Sequence, residues 1–218
     1  MNLRPTGAGP FIGPMSPQRF SELTARFSRL RVGVVGDVSL DRYFDIDPAK
    51  AETSLETGLP VHNVVRVRCS PGAAGNILQN LGALGAGSLW PVGFCGDDGE
   101  GFELLKALRR VPGVQLDHFQ RSGERRTFTY TKPLLQAPPK APVELSRLDI
   151  KNWDPTPAEV EARLIASLRA LSPSLDALVV MDQAGVPGAG VVSPAVLAAV
   201  GEIAAFASRA KRLRALGR

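Results

Sequence analysis

Residues 31–43, RVGVVGDVSLDRY, contain the transition that decides the fold. The stretch RVGVVG is short and rich in β-branched residues, which is typical of a strand buried in a parallel sheet. It is followed at once by Asp37 and Asp41, and we expect Asp37 to Tyr43 to form the loop after the strand. Ligands of open α/β sheets bind beyond the carboxyl ends of the strands, so both aspartates are candidates for a binding site. The alternative is that Asp37 caps a turn and Asp41 is a solvated loop residue.

Strands and helices alternate along the rest of the chain. Helices are predicted over 16–30, 70–86, 99–110, 156–171 and 194–213, and strands over 31–36, 59–68, 88–94, 114–119, 126–132, 145–150 and 177–181. This alternation predicts an α/β fold with a doubly wound, mainly parallel sheet. Residues 1–16 are rich in Pro and Gly and are expected to be a loose leader, so the folded domain is assigned to 17–218.

Two of the predicted strands differ from the others. Residues 59–68 and 126–132 alternate apolar with polar side chains, which indicates half-exposed strands that do not fit inside a doubly wound sheet. We expect them to form a small separate β sheet, a lid over one edge of the main sheet. Residues 133–142 contain four prolines and are predicted to be a loop.

A second group of small and polar residues, SPGAAGN, occupies residues 70–76. Small residues at a helix start let a ligand approach the backbone, and the free N–H groups there favour oxygen ligands. Asn76 can donate to and accept from a pair of hydroxyls, and the carboxylate of Asp41 is a strong acceptor for a hydroxyl. Tight packing of a helix on a sheet also requires small residues and is the alternative. The stretch lacks the G-x-G-x-x-G order of dinucleotide-binding loops.

Five segments occur in a fixed order: DVSLDRY at 37–43, RVR at 66–68, PGAAGN at 71–76, LGALGA at 81–86 and VGFCGDDGEG at 92–101. This order resembles the PfkB (ribokinase-like) carbohydrate kinases. Within them the chain is most similar to the branch that phosphorylates heptose 7-phosphate, because of GDVSLDRY at 36–43 and RLD at 147–149. The resemblance implies a Rossmann-like body with a β lid that often mediates dimerisation. It also implies ATP- and Mg²⁺-dependent phosphoryl transfer to a sugar or sugar phosphate.

The resemblance implies site residues as well. Those expected to contact the sugar are Asp41, Gly72, Gly75 and Asn76, with Asp37 close by and with Arg147 and Asp182 as weaker candidates. The chain departs from the family in two of these places. Gly72 is followed by Ala73 where the family has a second glycine, which restricts close backbone approach. Residues 183–186 read QAGV where the heptose kinases have Tyr-Ala-Lys-Gly, so a phosphate contact there is not expected.

The family's second signature, Asp-Thr-x-Gly-Ala-Gly-Asp, provides the catalytic base and the anion hole. It does not occur in these 218 residues, and Gly188-Ala189-Gly190 is followed by Val191 rather than Asp. We therefore expect a truncated domain, with the base and the main ATP and Mg²⁺ site beyond Arg218, that is inactive as this fragment. The alternative is a non-catalytic sugar-binding or dimerisation module of degenerate kinase origin.

The amino-acid composition narrows the class of protein and the kinds of partner. Apolar residues make up 44% and charged residues 22%, which is typical of a soluble globular protein. The net charge of +5 favours an anionic partner, such as a phosphorylated metabolite or a nucleotide. Aromatic residues make up only 6%, so nucleic acid is not the expected partner. The chain has two isolated cysteines and two isolated histidines, so neither a disulfide scaffold nor a metal site is predicted. It shows no signal peptide and no segment of membrane length, which predicts a cytoplasmic protein.

Overall fold

The computed structural model describes residues 15–216, and side chains up to Ala207, so the predicted leader lies almost wholly outside the described residues. The α-helices are α1 (Pro17–Thr24), α2 (Ala74–Ala83), α3 (Gly99–Leu108), α4 (Ala158–Leu171) and α5 (Pro194–Leu216). The strands are β1 (Arg31–Gly36), β2 (Val38–Ile46), β3 (Glu52–Thr53), β4 (Pro60–Val61), β5 (Val64–Ala73), β6 (Ser88–Gly96), β7 (Phe119–Ser122), β8 (Thr129–Ala137), β9 (Lys140–Glu144), β10 (Leu148–Ile150) and β11 (Ala177–Met181). Across this range, no helix has the length and apolar character needed to cross a membrane.

The main sheet is parallel, with the strand order β11-β1-β6-β7. One face of it packs on α2 and α3 through a cluster that includes Val34, Leu78 and Leu104. The other face packs on α4 and α5 through a cluster that includes Val35 and Leu164. Helices on both faces bury β1 from Val32 onward, which explains its continuous run of apolar residues. The predicted doubly wound α/β class is confirmed.

A second sheet has the order β10-β8-β2-β5, with β9 also paired to β8. Its centre is β2, which runs parallel to β8 and antiparallel to β5. The prediction of a loop over Asp37 to Tyr43 is wrong, because residues 38–46 form β2, which pairs with β5 along its length and with β8 from Leu40 onward. Asp37 alone therefore separates the main sheet from the second sheet.

Other element boundaries differ from the predicted ones because residues that are distant in the chain pair with each other. The helix predicted from Ser70 begins at Ala74, since residues 70–73 pair with β2 as the end of β5. The loop predicted over 133–142 is largely the β8–β9 hairpin. Pro133 lies in β8 without an N–H to donate, and its carbonyl accepts a hydrogen bond from Leu145 N at 2.9 Å.

The remaining differences are at element ends. The helix predicted over 16–30 ends at Thr24 and is followed by a short 3₁₀ turn, and the strand predicted over 114–119 lies instead at Phe119–Ser122. The helix α4 begins at Ala158 rather than at Thr156, whose Oγ1 donates to Gly190 O at 2.7 Å. The strand β11 is half-exposed, since it forms an edge of the main sheet.

Candidate functional site

A cavity of about 250 Å³ lies where the second sheet meets the start of α2 and the loop after β11. Its lining comes from β2, β8, the β5–α2 junction, residues 147–151 and that loop: Ser39, Asp41, Ala73, Asn76, Tyr130, Lys132, Arg147, Lys151, Gln183 and Gly185. Three of the residues singled out from the sequence, Asp41, Asn76 and Arg147, thus share one cavity although they are far apart in the chain.

Asp41 points into this cavity from the centre of the second sheet. Its Oδ2 atom lies 3.3 Å from Nζ of Lys132, and only 16% of the Asp41 side chain and 21% of the Lys132 side chain are exposed. The ammonium of Lys132 also lies 3.5 Å from the hydroxyl of Tyr43 and 5.0 Å from the centre of its ring. Burial alone would lower the pKa of Lys132, but Asp41 and Tyr43 outweigh it and the pKa is raised. Lys132 is therefore a stable cation in the cavity wall.

Gly72 makes room for the side chains beside it. It pairs with Ser39 across the sheet, and a Cβ atom at this position would lie 2.6 Å from Ser39 Oγ and 2.8 Å from Asp41 Oδ1. A side chain at residue 72 would displace one or both of these oxygens. The close approach of Asp41 to residue 72 explains why this residue is a glycine. The contact of Gly72 with a sugar stays a prediction.

The start of α2 forms the next part of the wall. Ala73 precedes the helix with φ +55° and ψ −122°, a conformation that L residues rarely adopt. Ala73 forms no side-chain cap, and the first N–H of the helix, that of Ala74, donates instead to Asp37 O at 2.9 Å. Asn76 lies in the first turn, is exposed, and its Oδ1 accepts from Gln79 Nε2 at 3.2 Å. Gly75 is buried, and a Cβ atom there would lie 2.5 Å from Cβ of Pro71, so tight helix-to-strand packing accounts for it.

Three cations line the cavity: Lys132, Arg147 and Lys151. Arg147 Nε lies 2.7 Å from an oxygen of Asp149, and Lys151 Nζ lies 3.5 Å from the other. The guanidinium of Arg147 also lies 5.2 Å from the centre of the Tyr130 ring. Burial, together with the carboxylate of Asp149, raises the pKa of Tyr130, which keeps the phenol protonated and able to donate. The lining itself carries three cations and one carboxylate, that of Asp41, so the cavity favours an anionic ligand.

Asp37 and Asp182 do not line the cavity. The carboxylate of Asp37 is 3% exposed; its Oδ2 accepts from the backbone N–H groups of Gln183 at 2.9 Å and Ala184 at 2.8 Å, and its Oδ1 accepts from Val191 N at 2.8 Å. Asp37 thereby fixes the loop over residues 182–191, which carries Gln183 and Gly185 into the cavity wall. Asp182 is exposed and lies outside the cavity lining.

Sequence reasoning did not single out the other seven lining residues, among them Ser39, Tyr130, Lys132, Lys151 and Gln183. The usable signal was the alternation at residues 129–132, where Thr129 and Thr131 point to one face of the sheet and Tyr130 and Lys132 to the other. Placing that face on the cavity requires knowing that Asp41 pairs with Tyr130 across β2 and β8. That register depends on contacts between segments about ninety residues apart.

The described residues do not form a metal site. Between residues 15 and 207 no group of three or more His, Cys, Asp or Glu side chains is placed to hold an ion. Both cysteines are free thiols: Cys69 is half-buried and Cys95 is buried, and burial raises the pKa of Cys95 to about 12.

No protein-family model matches the chain. Curated proteins are similar to it in sequence, and solved structures are similar to it in fold. Bifunctional protein HldE from Pelobacter propionicus is 35% identical over 178 residues, a match that covers 79% of this chain and 34% of the relative. Bifunctional protein HldE from Azorhizobium caulinodans is 32% identical over 168 residues, covering 77% of this chain and 33% of the relative. The chain thus spans about a third of the length of these curated relatives.

Solved structures share the fold. A carbohydrate kinase from Agrobacterium tumefaciens superposes with a TM-score of 0.52 at 21% identity, over 81% of this chain and 50% of that one. Phosphofructokinase-2 from Escherichia coli in complex with fructose-6-phosphate gives a TM-score of 0.50 at 16% identity, over 83% of this chain and 52% of that one. The sequence relatives and the shared fold agree with the order of motifs along the chain. The chain resembles the PfkB (ribokinase-like) carbohydrate kinases in the order of its motifs, shares the fold of the solved carbohydrate kinases, and is similar to the HldE proteins over about a third of their length.

Proposed function

We propose that this chain forms the sugar-phosphate-binding part of an ATP-dependent carbohydrate kinase, with heptose 7-phosphate or a closely similar sugar phosphate as its ligand. The observation that carries the proposal is the composition of one cavity, which places hydroxyl-binding groups and cations side by side. Its volume of about 250 Å³ suits a ligand the size of a monosaccharide.

Asp41 and Asn76 are proposed to bind the sugar hydroxyls. Only Oδ2 of Asp41 contacts Lys132, so the carboxylate keeps acceptor capacity for a ligand O–H. A hydrogen bond to a charged acceptor contributes about 1.5–3 kcal/mol, which makes Asp41 the expected main anchor. Asn76 supplies both a donor and an acceptor from the first turn of α2.

Lys132, Arg147 and Lys151 are proposed to bind the phosphate. Arg147 and Lys151 share the carboxylate of Asp149, which holds both side chains against the cavity in the absence of a ligand. A phosphate dianion would take over part of these contacts as charge-assisted hydrogen bonds. Asp37, which the family resemblance places close to the sugar, is proposed to act indirectly, through the loop that it fixes.

Transfer from ATP, with Mg²⁺, is proposed for the complete kinase and not for this polypeptide by itself. The sequence contains no Gly-Ala-Gly-Asp stretch to supply the catalytic base and anion hole of the family. We predict that the purified 218-residue chain shows no ATP turnover that depends on added sugar phosphate. Such turnover above background would contradict this assignment.

A non-catalytic role in dimerisation is the second candidate, and the outer edge of the second sheet favours it. The edge strand β5 exposes Val64, Val65 and Val67 at 42%, 50% and 52%. An exposed apolar edge strand readily pairs with another chain. Light scattering of the wild type and of a Val65→Lys, Val67→Lys double variant tests this role. A dimer that the double variant abolishes would support it, and a monomeric wild type would exclude it.

Calorimetric titration with heptose 7-phosphate, and separately with ATP, tests the main proposal. The wild type is expected to bind the sugar phosphate, and Asp41→Asn to bind it at least about tenfold more weakly, because the amide replaces a charged acceptor by a neutral one. Asp182→Asn is the matched control, since this aspartate is exposed and outside the cavity, and its affinity should equal that of the wild type. Equal affinity in Asp41→Asn and wild type would overturn the proposed site.

A further inference from the structure

Arg125 is a buried cation without a carboxylate partner. It is 6% exposed, and its guanidinium lies 5.6 Å from the centre of the Phe94 ring. Its three described hydrogen bonds all go to backbone carbonyls, and no ion pair of the described residues includes it. Burial lowers the pKa of the guanidinium, and the carboxylate of Asp154 offsets only part of this effect. Charged side chains are rarely buried unless they are paired, so Arg125 requires an explanation.

The guanidinium of Arg125 joins two segments that are distant in the chain. Its Nη1 atom donates to Asp154 O at 3.1 Å and to Pro155 O at 3.3 Å, and its Nη2 atom donates to Ala189 O at 2.6 Å. Arginine suits such a bridge because its planar fork holds several donors in a fixed geometry. The side chain therefore fixes the two segments relative to each other.

Each of these segments carries part of the cavity wall. The first, residues 151–155, begins with Lys151, and its next residue, Asn152, exchanges two 2.9 Å hydrogen bonds with the backbone of Arg126. The second is the loop after β11, which Asp37 holds to the main sheet. The bridge thus connects the segment of Lys151, through this loop, to the main sheet.

The stretch Gly188-Ala189-Gly190 receives the bridge. The carbonyl of Gly188 accepts from Thr156 N at 2.8 Å, and that of Gly190 accepts from Thr156 Oγ1 at 2.7 Å. The carbonyl between them, that of Ala189, accepts from Arg125. Three consecutive carbonyls of the loop are therefore bonded to donors outside it, and we call these donors, Arg125 and Thr156, the loop clamp.

Core packing does not require a cation at residue 125. An apolar side chain of similar volume would also pack on Phe94, and it would avoid the desolvation of a buried charge. It would leave the carbonyl of Ala189 without its described donor and would separate the two segments. What arginine adds at this position is a fixed distance between two parts of the cavity wall.

We infer that Arg125 is a positioning residue for the phosphate-binding side of the cavity: it holds the segment of Lys151 against the loop after β11, so that the ammonium of Lys151 stays in the wall. Arg125 is not part of the cavity lining, so it acts through Lys151 and not by contact with the ligand. The inference rests on the proposed function, because it concerns the ligand of the same cavity.

The test compares Arg125→Lys with Arg163→Lys in the full 218-residue chain. Lysine keeps the charge at residue 125 but lacks the fork that reaches both segments. Arg163 is the matched control, because it is an exposed arginine of α4, bonded to Gln120 and Glu159, outside the cavity lining. The Kd for heptose 7-phosphate, measured by titration calorimetry, should rise about fivefold in Arg125→Lys and stay unchanged in Arg163→Lys.

A double-mutant cycle with Lys151→Met separates positioning from a general loss of stability. Because Arg125 acts through Lys151, Arg125→Lys should change the Kd by less than about twofold in a chain that already lacks this ammonium. An equal rise in both backgrounds would show that Arg125 only supports the fold and would overturn the inference.

Thr156→Val decides the matter if Arg125→Lys does not fold. Valine has nearly the same shape as threonine and removes only the donation to Gly190 O, so the Kd should rise about twofold to threefold. This rise should also disappear in the Lys151→Met background. An unchanged Kd, or a rise that persists without Lys151, would contradict the role of the loop clamp.

The outcomes also separate the inference from the proposed function. If Asp41→Asn loses binding but Arg125→Lys keeps the wild-type Kd, the role of Arg125 is overturned and the proposed site stands. If the wild type does not bind heptose 7-phosphate, the proposed function fails and the inference fails with it.

Discussion

Asp37 and Asp41 are four residues apart in one short stretch, yet the regions around them are built in opposite ways. Around Asp37 the protein supplies three backbone N–H groups to a buried carboxylate, and the region is closed. Around Asp41 it supplies one ammonium, and the carboxylate lines a cavity. The difference shows that the role of an aspartate depends on how many donors the fold already provides. A fully bonded carboxylate holds the structure, and one with spare acceptor capacity is available to a ligand.

The largest expected effect comes from breaking the closed region with Asp37→Asn. The amide keeps the shape but offers one acceptor oxygen where the carboxylate has two, and its NH₂ group would face an N–H donor. We expect the free energy of unfolding to fall by about 3 kcal/mol, as for the loss of charge-assisted bonds to buried donors. Urea unfolding measures the loss, and hydrogen exchange should show faster exchange at the amides of Gln183, Ala184 and Val191 in particular. A loss below about 1 kcal/mol would mean that these bonds do not hold the loop.

The next effect comes from crowding the open region with Gly72→Ala. The added methyl would lie 2.6 Å from Ser39 Oγ and 2.8 Å from Asp41 Oδ1, so these side chains or the strand must move. Overpacking of this kind costs about 1–3 kcal/mol, and sugar-phosphate binding should weaken in parallel. Gly123→Ala is the control, because a Cβ atom at Gly123 would meet nothing within 4 Å. Normal binding by Gly72→Ala would contradict the close approach of Asp41 to β5.

A smaller effect, of opposite sign, is expected where the two regions join. Ala73 lies between them with its φ at +55°, and glycine adopts this conformation without strain. Ala73→Gly should therefore raise the free energy of unfolding by about 1 kcal/mol. Ala74→Gly, at the first residue of α2, should lower it by about 1 kcal/mol, since the change removes a methyl group that is buried in the core. Destabilisation by both changes would show that the backbone at Ala73 is not strained.

The smallest effect on stability is expected from Asp41→Asn. The only described hydrogen bond of its side chain is the 3.3 Å contact with Lys132, so the free energy of unfolding should fall by less than in Asp37→Asn, by about 1 kcal/mol. Asp41→Asn is thus expected to lose sugar-phosphate affinity with little loss of stability, whereas Asp37→Asn is expected to lose mainly stability. Comparable destabilisation by the two variants would remove the distinction between the closed and the open region.

Local sequence patterns predicted the parts of this fold that depend on neighbouring residues. The run RVGVVG identified β1 because both faces of that strand are buried, and the small residues at 70–76 identified the start of α2 to within a few positions. The strand β2 was missed because its residues alternate between two unlike surroundings. Asp41 faces the cavity, whereas Arg42 pairs with Glu100 and Glu103 of α3 on the other face.

The residues of the site also divide into those that local sequence identified and those that depend on contacts between distant segments. Asp41 and Asn76 were found because their own segments carry the family motifs. Lys132 was missed because it reaches the cavity through the register of β8 against β2. Lys151 was missed because it is held there by a contact with Asp149 that it shares with Arg147. Asp37 was expected near the sugar because sequence shows that a carboxylate is present but not which donors surround it.

A crystal structure of the chain with heptose 7-phosphate tests most directly the claim that the cavity at Asp41 is the ligand site and that Asp37 is structural. The predicted result has ligand hydroxyls within hydrogen-bond distance of Asp41 and Asn76 and the phosphate among Lys132, Arg147 and Lys151. The carboxylate of Asp37 would still be bonded to the three backbone N–H groups of the loop after β11. A ligand that contacts Asp37 directly, or that lies outside this cavity, would contradict the account.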